Sequence, residues 1–469
     1  MEPDSVGPTP YHVVPGPFST KRILLISYHA PPSNEVGAMR WAGMARRFAE
    51  HGWGFDILAL DPAAVGNTDA AALDRLPPGT RLYGIPRTTR TLDRAVDGFV
   101  EIRRRVKAMV FGPPSLLEEE EIGALRQHPS AWRRLVNSFH ARREYLADGD
   151  WARAAARVGL QLHDPKRHQW VISSGPPHMS HEGGRLLSMS TGLPLIADFR
   201  DAWRFQEWVP LGPTWAQLAA RHEARVVRQS TLVVANVEPV RELMQRAYPE
   251  ARIVTITNGV DDVAVPAPNH GDRFIIGYPG TIYVGRDPTP LFQAVAQMVE
   301  SERLTPEQVG LEFMGHSGPA VEEWLRRLAE EHGLGDFLLI RAGGPRPRAL
   351  EFMATCAVLV AFQQGSDLAV PAKIFEYMKF AAWLVVLATA GSATGELLAG
   401  TEAAVVDPGN IPALAGILSA RYRAFSDGRR PVPLGGEARF GRRFQADRLL
   451  DSMNAATEGA RPGRKPRRS

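Results

Sequence analysis

Lys21-Arg22-Ile23-Leu24-Leu25-Ile26-Ser27-Tyr28 sets four consecutive apolar residues between polar ones, the pattern of a strand buried on both faces. A proline-containing loop follows, His29 to Gly37. Trp41, Met44, Ala45 and Phe48 then recur at i, i+3, i+4 and i+7, one face of a helix. Gly52 ends that helix, and Phe55-Asp56-Ile57-Leu58-Ala59-Leu60 reads as the next strand. Strand, helix and strand in this order require a parallel, right-handed crossover. The chain therefore opens as an α/β protein.

The alternation returns at Trp170-Val171-Ile172-Ser173, a helix from about His178, and Leu195-Ile196-Ala197-Asp198. Thr231–Val234 and Ile253–Ile256 read as further strands. Residues 90–165 differ: they are rich in Arg, Glu and Leu, carry an acidic run at Glu118–Glu121, and predict a helical insert. A polar, proline-bearing segment over 261–272 then reads as a linker. Beyond it a second series begins at Phe274-Ile275-Ile276. Its strands are expected at Leu311–Met314, Phe337–Ile340, Val358–Phe362 and Leu384–Leu387. Two such arrays predict two Rossmann-like α/β domains, 21–260 and 273–445, with parallel sheets facing across a cleft. Residues 1–20 read as a disordered arm, 446–460 as a C-terminal helix, and 461–469 as a basic disordered tail.

Composition narrows the function classes. An apolar fraction of 44% over 469 residues excludes general disorder. A net charge of +4 is too small a surplus to argue for nucleic acid. Cys356 is the single cysteine, so neither an intrachain disulfide nor a cysteine-based zinc site can form, and a reducing, cytoplasmic setting is expected. Residues 1–20 lack the basic start and apolar run of a signal peptide. The longest apolar stretch, Phe380 to Ala390, falls short of the roughly 20 residues that cross a bilayer. A peripheral contact with the inner face of a membrane stays open, because Arg103–Phe111 mixes basic and apolar residues as an interfacial helix does. A salt-bridged helical cap explains the same residues. No Walker-type phosphate loop and no G-x-G-x-x-G occurs.

The segment Val370-Pro371-Ala372-Lys373-Ile374-Phe375-Glu376-Tyr377 follows a predicted strand, which places Pro371 in a first helical turn. Lys373 and Glu376 then share one face near the helix start. A cation beside free backbone N–H groups suits a diphosphate, and a carboxylate one turn away can accept hydrogen bonds from two ribose hydroxyls. An i, i+3 surface ion pair is the plainer reading.

PAKIFEYMKFAAWLVVLA resembles the donor-binding segment of family 4 glycosyltransferases, whose fold is the two-Rossmann GT-B arrangement. SYHAPPSNEVGAMRWAGMARRFAEHGWGFDILAL is similar to that family's first strand, loop and helix. SSGPPHMSHEGGRLLSMSTGLPLIADFRDAW resembles the acceptor-side segment of members that build surface polysaccharides and glycolipids, and ITNGVDD and GYPGTI fall in the family's order. The resemblance implies that Glu376 binds the nucleotide ribose. The family's earlier glutamate, expected to touch the donor sugar, falls at Leu368, with Asp367 adjacent. Gly280 would let backbone approach the donor, and Arg286 would fork onto its diphosphate; a solvated loop is the alternative. Gly37 and Arg40, in the first helix, would face phosphate or acceptor, or simply start that helix. His178 or His181, after Pro176-Pro177, would hydrogen-bond donor or acceptor and exchange a proton near neutrality, or be ordinary loop residues. Asp201 is the expected contact to an acceptor hydroxyl, oriented by Arg200, against a structural Asp–Arg network. His178 and Asp201 are thus the expected catalytic pair.

Asp148-Gly149-Asp150 spells the D-x-D signature of metal-dependent sugar transferases, but it lies in the helical insert rather than after a strand, so no metal and no cofactor are expected. The reading implied is a retaining transferase that moves a sugar from a nucleotide diphosphate sugar, UDP-linked, to a hydroxyl of a saccharide, lipid-linked or small-molecule acceptor, in polysaccharide biosynthesis. The rivals are a non-catalytic protein that binds nucleotide sugars or a partner, and a nucleotide-sugar epimerase.

Overall fold

The computed structural model describes residues 8–66, 68–87, 131–205, 213–282, 286–315, 318–363 and 366–458, with 131–140 and 213–214 described by backbone alone. Its contacts divide it into two units: residues 8–87, 135–259 and 442–458 form the first, and residues 260–441 the second.

The first unit is an eight-stranded sheet of β1 (His12–Val13), β2 (Lys21–Ser27), β3 (Trp53–Leu60), β4 (Arg81–Ile85), β5 (His168–Gly175), β6 (Leu195–Phe199), β7 (Leu232–Ala235) and β8 (Ile253–Thr255). The strand order is β1-β4-β3-β2-β5-β6-β7-β8. Every pairing is parallel except β1 with β4. Its helices are α1 (Val36–Glu50), α2 (Ala131–Leu162), α3 (Met179–Thr191), α4 (Pro213–Gln229) and α5 (Glu238–Ala247). Registers Ile23↔Phe55 and Leu25↔Ile57 align apolar side chains of β2 and β3 beneath Trp41, Met44 and Phe48 of α1. Each side chain sealed this way contributes about 1.5–3 kcal/mol.

The arm expected to be disordered over 1–20 is ordered where it is described. His12 pairs with Leu82 and Val13 with Arg81 at the sheet edge, and the Tyr11 hydroxyl donates to the Pro31 carbonyl at 2.7 Å. Two paired residues are too short to show alternation, so the sequence carried no strand signal here.

Asp56 is fully buried at the end of this sheet where most of its strands begin. It accepts from Arg22 Nε at 2.7 Å, Arg81 Nη2 at 2.8 Å and His168 Nε2 at 2.8 Å. One carboxylate thus ties together β2, β3, β4 and β5. Burial alone would push its carboxyl up, but the hydrogen bonds from His168, Arg81 and Arg22 outweigh burial and hold it below the usual carboxylate range.

The second unit is a six-stranded parallel sheet, in the order β11-β10-β9-β12-β13-β14. Its strands are β9 (Phe274–Pro279), β10 (Val309–Gly315), β11 (Leu338–Ala342), β12 (Val358–Phe362), β13 (Trp383–Leu387) and β14 (Ala404–Val406). Its helices are α6 (Thr289–Glu302), α7 (Pro319–Glu331), α8 (Arg346–Thr355), α9 (Ala372–Tyr377), α10 (Ala393–Leu398) and α11 (Ile411–Ser426). Residues 261–272, expected as the linker, carry no regular structure. The last helix, α12 (Arg442–Glu458), belongs to the first unit: Ala446, Leu449, Leu450, Met453 and Ala456 join the core that holds Trp41 and Phe48. It starts four residues before the expected 446.

The basic run Arg103–Phe111, the acidic run Glu118–Glu121 and the tail 461–469 lie outside the described residues. No helix among the described residues is long and apolar enough to cross a membrane.

Candidate functional site

In the second unit the strands β9 and β12 lead into the segments that carry the predicted donor residues. Gly280 follows β9 with a φ of +135°, a conformation that L side chains rarely adopt. A Cβ placed there would stand 2.7 Å from Lys373 Nζ. Glycine at this point leaves the ammonium its seat. Lys373 Nζ donates to the Tyr278 hydroxyl at 3.1 Å and to the Pro279 carbonyl at 3.3 Å, and it lies 4.3 Å from the centre of the Tyr278 ring. Arg286 Nη1 donates to the same hydroxyl at 3.1 Å. Two cations therefore meet on one phenol oxygen beside Gly280. Burial, reinforced by Arg286 and opposed by Glu376, pushes the Lys373 ammonium down to about 7. Such a pair of cations gains most from a dianionic ligand.

The expected helix is short. α9 has six residues, so the attraction for an anion rests on the two side chains. Lys373 and Glu376 form no ion pair with each other in this geometry. Arg346, the first residue of α8, donates through Nη2 to Glu376 Oε1 at 2.6 Å. Leu368, at the position of the expected glutamate, is partly buried in the loop before α9, its N–H donating to Ser366 Oγ at 3.1 Å. The neighbouring Asp367 carboxylate accepts from Thr389 Oγ1 at 2.7 Å, an attachment to the loop after β13.

In the first unit the predicted residues separate into two roles. Arg40 is 1% exposed. It donates to Asp198 Oδ1 at 2.8 Å and to the carbonyls of Ile256 and Thr257 at 2.9 Å each. Asp198 also accepts from Ser174 Oγ at 2.9 Å and Trp41 Nε1 at 3.1 Å. These contacts make Arg40 a clamp between α1 and the ends of β6 and β8, in place of the substrate contact expected of it. The Asp–Arg network foreseen for this region exists, but it runs through Asp198 and Arg40.

Gly37, Arg200, Asp201 and His178 share the ends of β5 and β6 with the start of α1. The Arg200 guanidinium lies against Gly37, where a Cβ would stand 2.6 Å from Nη1, and it donates to the Pro176 carbonyl. Arg200 Nε is buried without a hydrogen-bond partner among the described residues. Burial raises the Asp201 carboxyl, with Arg200 and Arg40 opposing. His178 stacks on Trp203, with ring centroids 5.3 Å apart and planes 13° apart. Burial, then His181 and Arg200, lower the His178 imidazole well below its usual value. At neutral pH it is therefore an uncharged hydrogen-bonding ring, and the expected proton exchange near neutrality does not suit it. His181 is likewise held down, to about 3, by burial and Arg200, while Ser173 Oγ lies 3.0 Å from its Nδ1.

Two groups at the donor-side cluster escaped sequence reasoning, as did one ion-paired arginine, Arg87, in the first unit. Tyr278 reads as a core strand residue, and its ring is indeed buried; only its terminal oxygen reaches the loop. Arg346 sits 30 residues from its partner. Arg87, two residues beyond β4, donates to Glu144 at 2.6 Å and Asp148 at 3.0 Å. Burial raises Asp148 to about 6, opposed by Arg87 and reinforced by Glu144. Asp148 and Asp150 are both inside α2, and Asp150 pairs with Arg153. Among the described residues no group of three or more His, Cys, Asp or Glu is placed to hold a metal ion.

Solved structures share this architecture. A sucrose-phosphate synthase from Thermosynechococcus elongatus superposes with a TM-score of 0.56 at 14% identity, covering 94% of this chain and 100% of the other. Anabaena HepE in complex with UDP-glucose gives 0.56 at 14% identity, covering 92% and 99%. TarM gives 0.58 at 10% identity, covering 94% and 99%. The fold is GT-B. Both sheets of this GT-B chain, eight-stranded and six-stranded, are parallel apart from the β1 edge. No model of a known protein family matches the sequence, and no curated protein matches it.

Proposed function

We propose that this GT-B chain is a glycosyltransferase that takes a sugar from a nucleotide diphosphate sugar, UDP-linked, and transfers it to a hydroxyl of a saccharide, lipid-linked or small-molecule acceptor. The observation that carries the reading is the meeting of Lys373 and Arg286 on the Tyr278 hydroxyl beside Gly280. A diphosphate replaces one neutral oxygen with several charged ones, and the two cations then stabilise charge as the sugar–phosphate bond breaks. The UDP-glucose bound to HepE supports the choice of uracil nucleotide, and Glu376 is proposed to accept from the ribose.

On the acceptor side, Asp201 would receive the hydroxyl hydrogen bond, with Arg200 fixing its direction and uncharged His178 supplying a further polar contact. Retention, as in family 4, needs no protein base, because a phosphate oxygen on the departing face can take the acceptor proton. Neutralisation of the leaving group by Lys373 and Arg286 makes a metal unnecessary in this scheme. Incubation with labelled UDP-, GDP- and dTDP-sugars, with and without a membrane extract, tests the reading. Transfer of label from one donor supports it; absence of both transfer and nucleotide-induced stabilisation for all three refutes it.

A second reading, a binder of nucleotide sugars without turnover, is favoured by one observation. Leu368 stands where the family resemblance calls for a donor-sugar carboxylate, and the neighbouring Asp367 is engaged by Thr389. Nucleotide binding without transfer to any acceptor would select it.

A further inference from the structure

Glu376 lies one helical turn from Lys373, yet its carboxylate turns to Arg346. An exposed ion pair is usually worth little, and this one is part-exposed, at 45% for Arg346 and 28% for Glu376. Its construction, however, is not that of two floppy surface chains. Arg346 stands between Pro345 and Pro347 and opens α8, so its backbone is already restricted before the contact forms. Glu376 is set on α9 between the buried Phe375 and Tyr377. The pair joins the segment that follows β11 to the one that follows β12, across two intervening strands. Lys373 donates instead to Tyr278 and Pro279, and among the described residues Arg346 is the cation hydrogen-bonded to the carboxylate.

We infer that Arg346 is a positioning residue for ribose recognition: by holding Glu376 Oε1 it aims Oε2 at the sugar hydroxyls of the bound nucleotide. The inference rests on the nucleotide-sugar reading above. A carboxylate free to rotate would accept from a ribose hydroxyl, but it would lose rotamer freedom on doing so. One already fixed binds without that loss. Removal of Arg346 therefore weakens selection for the ribose while leaving the diphosphate contacts of Lys373 and Arg286 in place.

The test compares UDP with 2′-deoxy-UDP by calorimetry on the full chain, with inorganic pyrophosphate as a phosphate-only probe. Wild type should prefer UDP by about tenfold, the scale of a hydrogen bond to a charged group. Arg346→Ala should reduce that preference at least threefold and leave pyrophosphate affinity unchanged. Arg346→Lys should recover part of it, since a point charge replaces a fork. In an Arg346→Ala background, Glu376→Gln should add little to the loss. A wild-type preference that survives intact in Arg346→Ala overturns the inference alone. Equal loss of pyrophosphate and UDP binding also overturns it, because the residue would then support the whole pocket. A wild-type chain that binds neither nucleotide overturns the nucleotide-sugar reading itself, and the inference with it.

Discussion

Arg200 lies flat against the backbone of Gly37, with no room between them for a methyl group: a Cβ on Gly37 would come within 2.6 Å of Nη1. Gly37 is the second residue of α1 and its φ is unremarkable for a helix, so alanine there would be welcomed by the helix itself, by up to about 1 kcal/mol. What alanine displaces is the guanidinium. Gly37→Ala should therefore leave the denaturation midpoint nearly unchanged while lowering sugar transfer at least tenfold. Urea melts and initial rates on the same preparation check this; parallel losses of stability and rate would show the seat of Arg200 to be structural only.

Lys373→Met should weaken binding of a nucleoside diphosphate far more than binding of the free nucleoside, by about tenfold or more for removal of one charge-assisted contact. Titration calorimetry with UDP and uridine measures both. An equal loss for the two ligands would show that phosphate is not the group this ammonium faces.

The depressed ammonium has consequences for pH. Lys373 is lowered from 10.5 to about 7 in the folded chain by burial first, then by Arg286. Between those values the unfolded chain holds a proton that the folded chain lacks, so stability of the ligand-free protein rises with pH across that interval. Lys373→Met should flatten this rise between pH 7 and 9, as read by melting temperature. A bound diphosphate favours the charged form, so UDP binding at pH 8 should take up a proton. Calorimetry in buffers of different ionisation enthalpy would reveal it, and identical heats after buffer correction for zero protons would contradict it.

Asp56 is the counterpart for stability. Its folded carboxyl lies below its unfolded value of 3.8, so its contribution is present above that pH and is lost as pH falls further. Asp56→Ala leaves Arg22 buried without its counter-charge and should destabilise the chain by about 3–5 kcal/mol. Urea unfolding at pH 7 measures the effect, and a loss under 1 kcal/mol would mean that Arg22 and His168 find other partners.

Much of the fold is legible in the sequence because parallel strands are buried on both faces. Ile23–Ile26, Val358–Phe362 and Trp383–Leu387 announce themselves as unbroken apolar runs. β4 and β14 are quieter: Arg81-Leu82-Tyr83-Gly84-Ile85 carries a charge and a glycine, and β14 has three residues. At the candidate site, Lys373, Gly280 and Arg286 lie in segments with a readable pattern, and the structure brings them together. Tyr278 and Arg346 were silent because their role is set by contacts with residues 95 and 30 positions away. Arg40 shows the reverse. A cation at the start of a helix invites a ligand in the sequence, while only burial reveals that Asp198 and two carbonyls occupy it.

The return of α12 to the first unit affects the order in which the protein can be completed. Ala446, Leu449 and Met453 cover apolar surface laid down by Trp41 and Phe48 some 400 residues earlier. Until those turns have emerged from the ribosome, the first unit keeps a greasy groove uncapped, however long ago its strands were made.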